Sequence, residues 1–135
     1  MADAFWCLVE DDGAGRPKKV TAELLGEAQR LAAQAGGGVE AVWLCEKASE
    51  EGLAQLAECG AERIWLVEHG SLSPYRGEVW APVVAELVAR ETPRAIFGAV
   101  TSRQRELMAR LAARLGAGLS ADTVAFSLAG AALDP

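Results

Sequence analysis

Apolar residues along the chain gather in short β-rich runs that alternate with stretches where they recur every three or four residues. Ala4 to Glu10 (AFWCLVE) predicts a first strand, followed by a turn-rich loop from Asp11 to Gly15. Thr21 is placed to cap a helix over Ala22 to Ala35, whose apolar face is Leu24, Ala28, Leu31, Ala32 and Ala35. Gly36, Gly37 and Gly38 end it, because glycine adopts the left-handed C-cap conformation at little cost. Val39 to Leu44 predicts a second strand. Ser49 followed by Glu50 and Glu51 marks a helix start, with acids at the positive end of the dipole, and this helix runs to about Cys59 and stops at Gly60.

Arg63 to Val67 predicts a third strand, and a loop from Glu68 to Gly77 leads to a helix with Trp80, Val83, Val84, Leu87 and Val88 on one face. Pro82 suits a first turn better than a helix interior, so this helix is expected to begin late. Ala95 to Val100 is nearly continuous in apolar character, as expected of a strand covered on both faces. A helix from about Ser102 to Leu115 buries Leu107, Leu111 and Leu115 and is closed by Gly116 and Gly118; Thr123 to Leu128 predicts a fifth strand. Strands joined through helices imply parallel pairing, and hence a three-layer α/β/α sandwich with a Rossmann-like sheet in the order 3-2-1-4-5.

The 135 residues fit one domain spanning 1–135. Hydrophobic residues at 51% and charged residues at 24% are ordinary globular usage. A net charge of −6 argues against a nucleic-acid module, which carries a basic face, and against docking on anionic membranes. No apolar run approaches the roughly 18 residues that span a bilayer. Met1 to Ala4 carries an acid and no basic segment, unlike a secretory leader. Cys7, Cys45 and Cys59 are odd in number and form no CxxC, so they read as reduced, buried thiols of a cytoplasmic protein. The single histidine, His69, has no partner at metal-ligand spacing.

In an open parallel sheet, ligands bind beyond the carboxyl ends of the strands where the strand order reverses. In the order 3-2-1-4-5 that crevice lies between strands one and four, walled by the Glu10–Gly15 loop and the Val100–Arg105 turn. Thr101, Ser102, Arg103 and Arg105 are the candidate residues there: free backbone amides, two hydroxyls and two arginines suit an anion such as phosphate. The alternative is structural, with Thr101 and Gln104 forming a capping box in which Thr101 caps the third helical amide and Gln104 reaches back to the cap. Asp11 to Gly15 is no G-x-G-x-x-G loop, and no G-x-x-x-x-G-K-[ST] occurs. Glu10, Asp11 and Asp12 suggest either a cation site or a solvated acidic loop. Nothing positions Cys7 and His69 as a catalytic pair. Trp6, Trp43 and Trp65 read as core on strands, and Trp80 as facing the sheet from a helix.

Thr101 to Asp122 (TSRQRELMARLAARLGAGLSAD) resembles the T-S-x-G-R-[DE]-L-A-P-R-x-A-x-x-L-x-x-G-L-x-[AS]-D signature of electron-transfer flavoprotein α subunits. Pro17 to Leu25, the Gly60-Ala61-Glu62 entry to strand three and Tyr75 in the following loop add to the likeness, which covers the N-terminal domain nearly end to end. Gln104 and Ala109 stand where the family usually has glycine and proline, and losing that glycine leaves a degenerate anion cradle. The resemblance implies an adenine-nucleotide α-hydrolase-like domain without catalytic residues or a cofactor of its own. It also implies FAD in a following domain that this chain, ending at Asp134-Pro135, lacks, and AMP in a β subunit. The implied role is that of a scaffold in a heterodimer that carries electrons from dehydrogenases toward a quinone reductase. A small ATP- or AMP-binding module resembling universal stress proteins is the competing reading.

Overall fold

Side chains on β1 (Ala4–Leu8) and β2 (Gly38–Cys45) are buried on both faces of the sheet, which explains why apolar character runs through both strands without strict alternation. The computed structural model describes residues 4–116, 118–121 and 125–129. Along the chain follow α1 (Lys19–Ala35), α2 (Glu50–Glu58), β3 (Arg63–Glu68), a 3-10 turn (Gly70–Leu72), α3 (Gly77–Glu91), β4 (Ala95–Ala99), α4 (Ser102–Leu115), β5 (Gly118–Ala121) and β6 (Ala125–Ala129). The sheet order is β3-β2-β1-β4-β6-β5. β1 pairs in parallel with β2 and β4, and β2 with β3.

On one face Trp6, Leu8, Val42 and Leu44 pack under Trp80, Val84 and Val88 of α3 and Leu107, Met108 and Leu111 of α4. On the other, Phe5, Cys7, Ala41 and Trp43 pack under Leu24, Leu25 and Ala28 of α1 and Leu56 of α2. Burying each large apolar side chain stabilises the fold by roughly 1.5–3 kcal/mol.

The parallel α/β architecture and the 3-2-1-4 core are as the alternating pattern predicts, and the far edge differs. The expected fifth strand is β6, which pairs antiparallel with β4 (Ile96 opposite Leu128) and with β5 (Leu119 opposite Leu128). The helical crossover from β4 through α4 therefore reaches the outer strand β5, and the chain then turns back to slot β6 between them. Thr123, where the fifth strand was expected to begin, lies outside the described residues.

Four further expectations are corrected. Thr21 does not cap α1, which begins at Lys19 with Lys18 at the cap. The amide of Lys18 already bonds the Glu10 carbonyl at 2.8 Å, which turns the chain early. α3 begins at Gly77, so Pro82 lies inside the helix, where the burial of Trp80 and Ala81 outweighs one missing amide. Trp65 and Leu115 are only half-buried; β3 is an outer strand with a neighbour on one side only, and Leu115 closes the last turn of α4.

Candidate functional site

Glu10 lies two residues beyond the end of β1 and is only 5% exposed. Its backbone is held by Thr21, whose hydroxyl donates to the Glu10 carbonyl at 3.0 Å and accepts from the Glu10 amide at 2.9 Å. Its carboxylate accepts from the Thr101 hydroxyl at 2.6 Å and meets Lys18 Nζ at 3.4 Å. The side chain expected to begin a solvated acidic loop thus ties the end of β1 to the start of α4.

Gln104 completes the closure. It is 2% exposed, accepts from the Ala99 amide through Oε1 at 2.6 Å, and donates through Nε2 to the Leu8 carbonyl at 3.1 Å. Thr101 caps α4 by accepting from the Gln104 amide at 3.2 Å, as half of a capping box would. The other half is corrected: the Gln104 side chain turns into the space between β1 and β4. Both carboxyl-terminal strand ends there are uncovered backbone, and the amide of glutamine satisfies one donor and one acceptor at once.

The four candidate anion-binding residues meet four different surroundings. Thr101 faces Glu10, Ser102 is exposed, and Arg105 donates from Nε to the Val100 carbonyl at 3.1 Å. Arg103 lies over the rings of Tyr75 and Trp80, 5.2 and 5.5 Å from their centroids. Such stacking contributes about 0.5–2 kcal/mol. Tyr75 meets Trp80 edge-on at 5.0 Å and donates to Glu106 at 2.7 Å; burial, then the Glu106 carboxylate, holds its phenol well above the usual range. Trp80 in turn donates to the Leu72 carbonyl at 3.0 Å.

The open space at this end of the sheet is displaced toward β2. A cleft of about 210 Å³ lies between the β1–α1 loop, the β2–α2 loop and the segment before α3, with Asp11, Asp12, Lys18, Lys47, Tyr75 and Arg103 in its walls. It is smaller than the roughly 300–1,000 Å³ of most small-molecule sites and lined by both charges. Asp11 accepts from Trp43 Nε1 at 2.7 Å and from the Gly13 amide at 2.9 Å. Asp12 accepts from the Ala14 and Arg16 amides, and the Ala14 bond is the main reason its carboxyl lies below the usual range. Gly15, at φ 85°, lets this loop touch the next one: a Cβ there would stand 2.8 Å from the Lys47 carbonyl oxygen, and Ser49 donates to the Gly15 carbonyl at 2.7 Å. The two carboxylates in the β1–α1 loop, Asp11 and Asp12, take up the backbone amides of Gly13, Ala14 and Arg16 and would repel the phosphates of a dinucleotide such as FAD.

Among the described residues no group of three or more His, Cys, Asp and Glu side chains is placed to hold a metal ion. Burial holds the Cys7 thiol far up, and burial with the nearby charges of Asp11 and Glu68 pushes Cys45 up to about 12. Both are protonated at neutral pH, whereas the thiolate is the reactive form. Cys59 is half-buried. His69 caps the 3-10 turn through Nδ1, 3.0 Å from the Ser71 amide, and is not brought to Cys7. No helix of the described residues is long and apolar enough to cross a membrane.

One polar feature was invisible in the sequence. Glu40, at the opposite end of the sheet, accepts from the indoles of Trp6 at 3.0 Å and Trp65 at 2.8 Å. Only the register that sets Glu40 beside Trp6 reveals it.

Comparison with known proteins places this geometry. The electron transfer flavoprotein domain matches residues 5–133. The protein FixB of Clostridium saccharobutylicum is 35% identical over 108 residues, covering 80% of this chain and 32% of that protein. The electron transfer flavoprotein subunit alpha of Thermoanaerobacterium thermosaccharolyticum is 34% identical over 119 residues, covering 87% and 35%. The acryloyl-CoA reductase electron transfer subunit beta of Anaerotignum propionicum is 33% identical over 100 residues, covering 74% and 27%. The chain spans about a third of the length of such relatives. The match covers almost the whole chain, parallel core and Thr101-capped α4 included, and the chain belongs to the electron transfer flavoprotein domain family.

Proposed function

We propose that this chain is the N-terminal scaffold domain of an electron-transfer flavoprotein α-type subunit, contributing a rigid surface for assembly and no redox group of its own. The observation that carries the reading is the filled crevice between β1 and β4, where Gln104 and the Glu10–Thr101 pair occupy the place an open α/β sheet offers to a ligand. In this reading FAD belongs to another part of the α subunit and AMP to a companion β subunit. Electrons pass from dehydrogenases toward a quinone reductase through the whole assembly. The domain has no catalytic residue, and its place is the cytoplasm.

Mixing the purified chain with a β-type subunit of an electron-transfer flavoprotein tests the reading. Size-exclusion chromatography with light scattering is expected to show a 1:1 complex. Calorimetry with AMP and ATP on the chain alone is expected to give no binding heat. A stoichiometric nucleotide complex of the isolated chain, without association with the subunit, would favour the nucleotide-module reading instead.

A further inference from the structure

α4 carries Arg103, Arg105, Arg110 and Arg114 against the single acid Glu106, in a chain whose net charge is −6. Two of these arginines lie in the first turn, at the positive end of the helix dipole, a turn that contains no acidic residue of α4 itself. Each such placement costs an isolated helix about 0.3–1 kcal/mol. α4 is anchored through Gln104, Leu107, Met108 and Leu111 on its inner face, and of the four arginines Arg103 packs on aromatic rings, those of Tyr75 and Trp80. On the outer face Ser102, Glu106, Ala109 and Ala113 are exposed and fall on one crest at spacings of three and four. Arg110 and Arg114 line the side of that crest toward α3, and Arg105 lines the other, all three exposed. Arg110 pairs with Glu106 at 3.5 Å, with both side chains well exposed, and its stem passes the Cα of Gly77, where a Cβ would come within 2.4 Å of Nε.

We infer that the outer face of α4 is the docking surface for the companion subunit, and that the partner presents an acidic surface to it. This rests on the scaffold reading above. Ala109 and Ala113, beyond the Glu106 paired with Arg110, let another backbone approach closely, while the flanking guanidiniums supply forked donors matched to carboxylates. Charge complementarity selects the occupant. The remainder of this chain is acidic, so a second copy would have to offer a different surface to α4, and such a head-to-tail contact propagates instead of closing. Nucleic acid is disfavoured by the same net charge. A distinct acidic polypeptide accounts for the excess of arginine over acid on this helix.

The test measures binding of a β-type subunit to the full chain by calorimetry at 50 and 300 mM NaCl. Two variants are compared with the wild type: the double reversal Arg105→Glu with Arg114→Glu, and Ala109→Trp, which adds bulk to the crest without changing charge. Lys19→Glu with Lys47→Glu serves as a matched reversal away from α4. The wild type is expected to weaken at least tenfold between the two salt concentrations. Both α4 variants are expected to lose at least tenfold in affinity at 50 mM with unchanged circular dichroism, and the matched reversal less than threefold. Equal affinity of wild type and α4 variants would overturn the assignment of this face and leave the scaffold reading intact. Absence of wild-type binding at either salt would overturn both. Self-association lost in the double reversal, or tight binding of a 20-base-pair DNA duplex, would overturn the choice of partner.

Discussion

At the scale of single residues, Gln104 is the position on which the site turns. Replacing it with alanine strands the Ala99 amide and the Leu8 carbonyl in a buried space, and each unsatisfied group costs about 1–3 kcal/mol. Gln104→Ala is therefore expected to lower stability by about 2–4 kcal/mol in urea unfolding, far more than Ser102→Ala on the exposed side of the same turn. Equal stability of the two variants would show that Gln104 does not close the crevice. Asp12 gives a pH-dependent counterpart. Its carboxyl lies below the usual 3.8, so its contribution is present above that value and is lost as pH falls through the lower folded one. The difference in thermal midpoint between wild type and Asp12→Ala is expected to be constant from pH 7 to pH 5 and to shrink progressively below about pH 4. A difference unchanged down to pH 2 would contradict the assignment.

At the scale of elements, the closest packing is between the first two loops. Gly15→Ala forces a left-handed backbone and a contact with the Lys47 carbonyl, so it is expected to lower the thermal midpoint more than Gly13→Ala, where φ is also 85° but the space is open. Similar losses from both would mean that strain alone, and not the loop contact, matters. In the core, Leu111→Ala is expected to cost about 2–5 kcal/mol, because the site is fully buried between α4 and the sheet. The sequence pattern made α4 legible to the residue, since Thr101 and Gly116 are strong end signals around an amphipathic run. It misplaced the start of α1 because Thr21 serves Glu10 across a loop, a tertiary demand that no local rule registers. It missed β5 because four residues between Gly118 and Ala121 carry too little periodicity to stand apart from the helix end. Glu10 and Gln104 were legible only as a loop acid and a capping residue; their hydrogen bonds span 91 and 96 positions, a distance the local pattern does not encode.

At the scale of the whole molecule, the described sheet and helices form a support whose crevice between β1 and β4 is filled by Gln104 and the Glu10–Thr101 pair. That is the physical content of the scaffold reading, and the family membership gives it a setting: the chain matches about a third of the length of relatives such as the electron transfer flavoprotein subunit alpha of Thermoanaerobacterium thermosaccharolyticum. The most direct measurement is a titration of FAD into the purified 135-residue chain, followed by flavin fluorescence and by absorbance of the protein after gel filtration. The account predicts no quenching at tens of micromolar FAD and a colourless protein. A chain that retains one flavin per molecule, or binds FAD with submicromolar affinity, would contradict it.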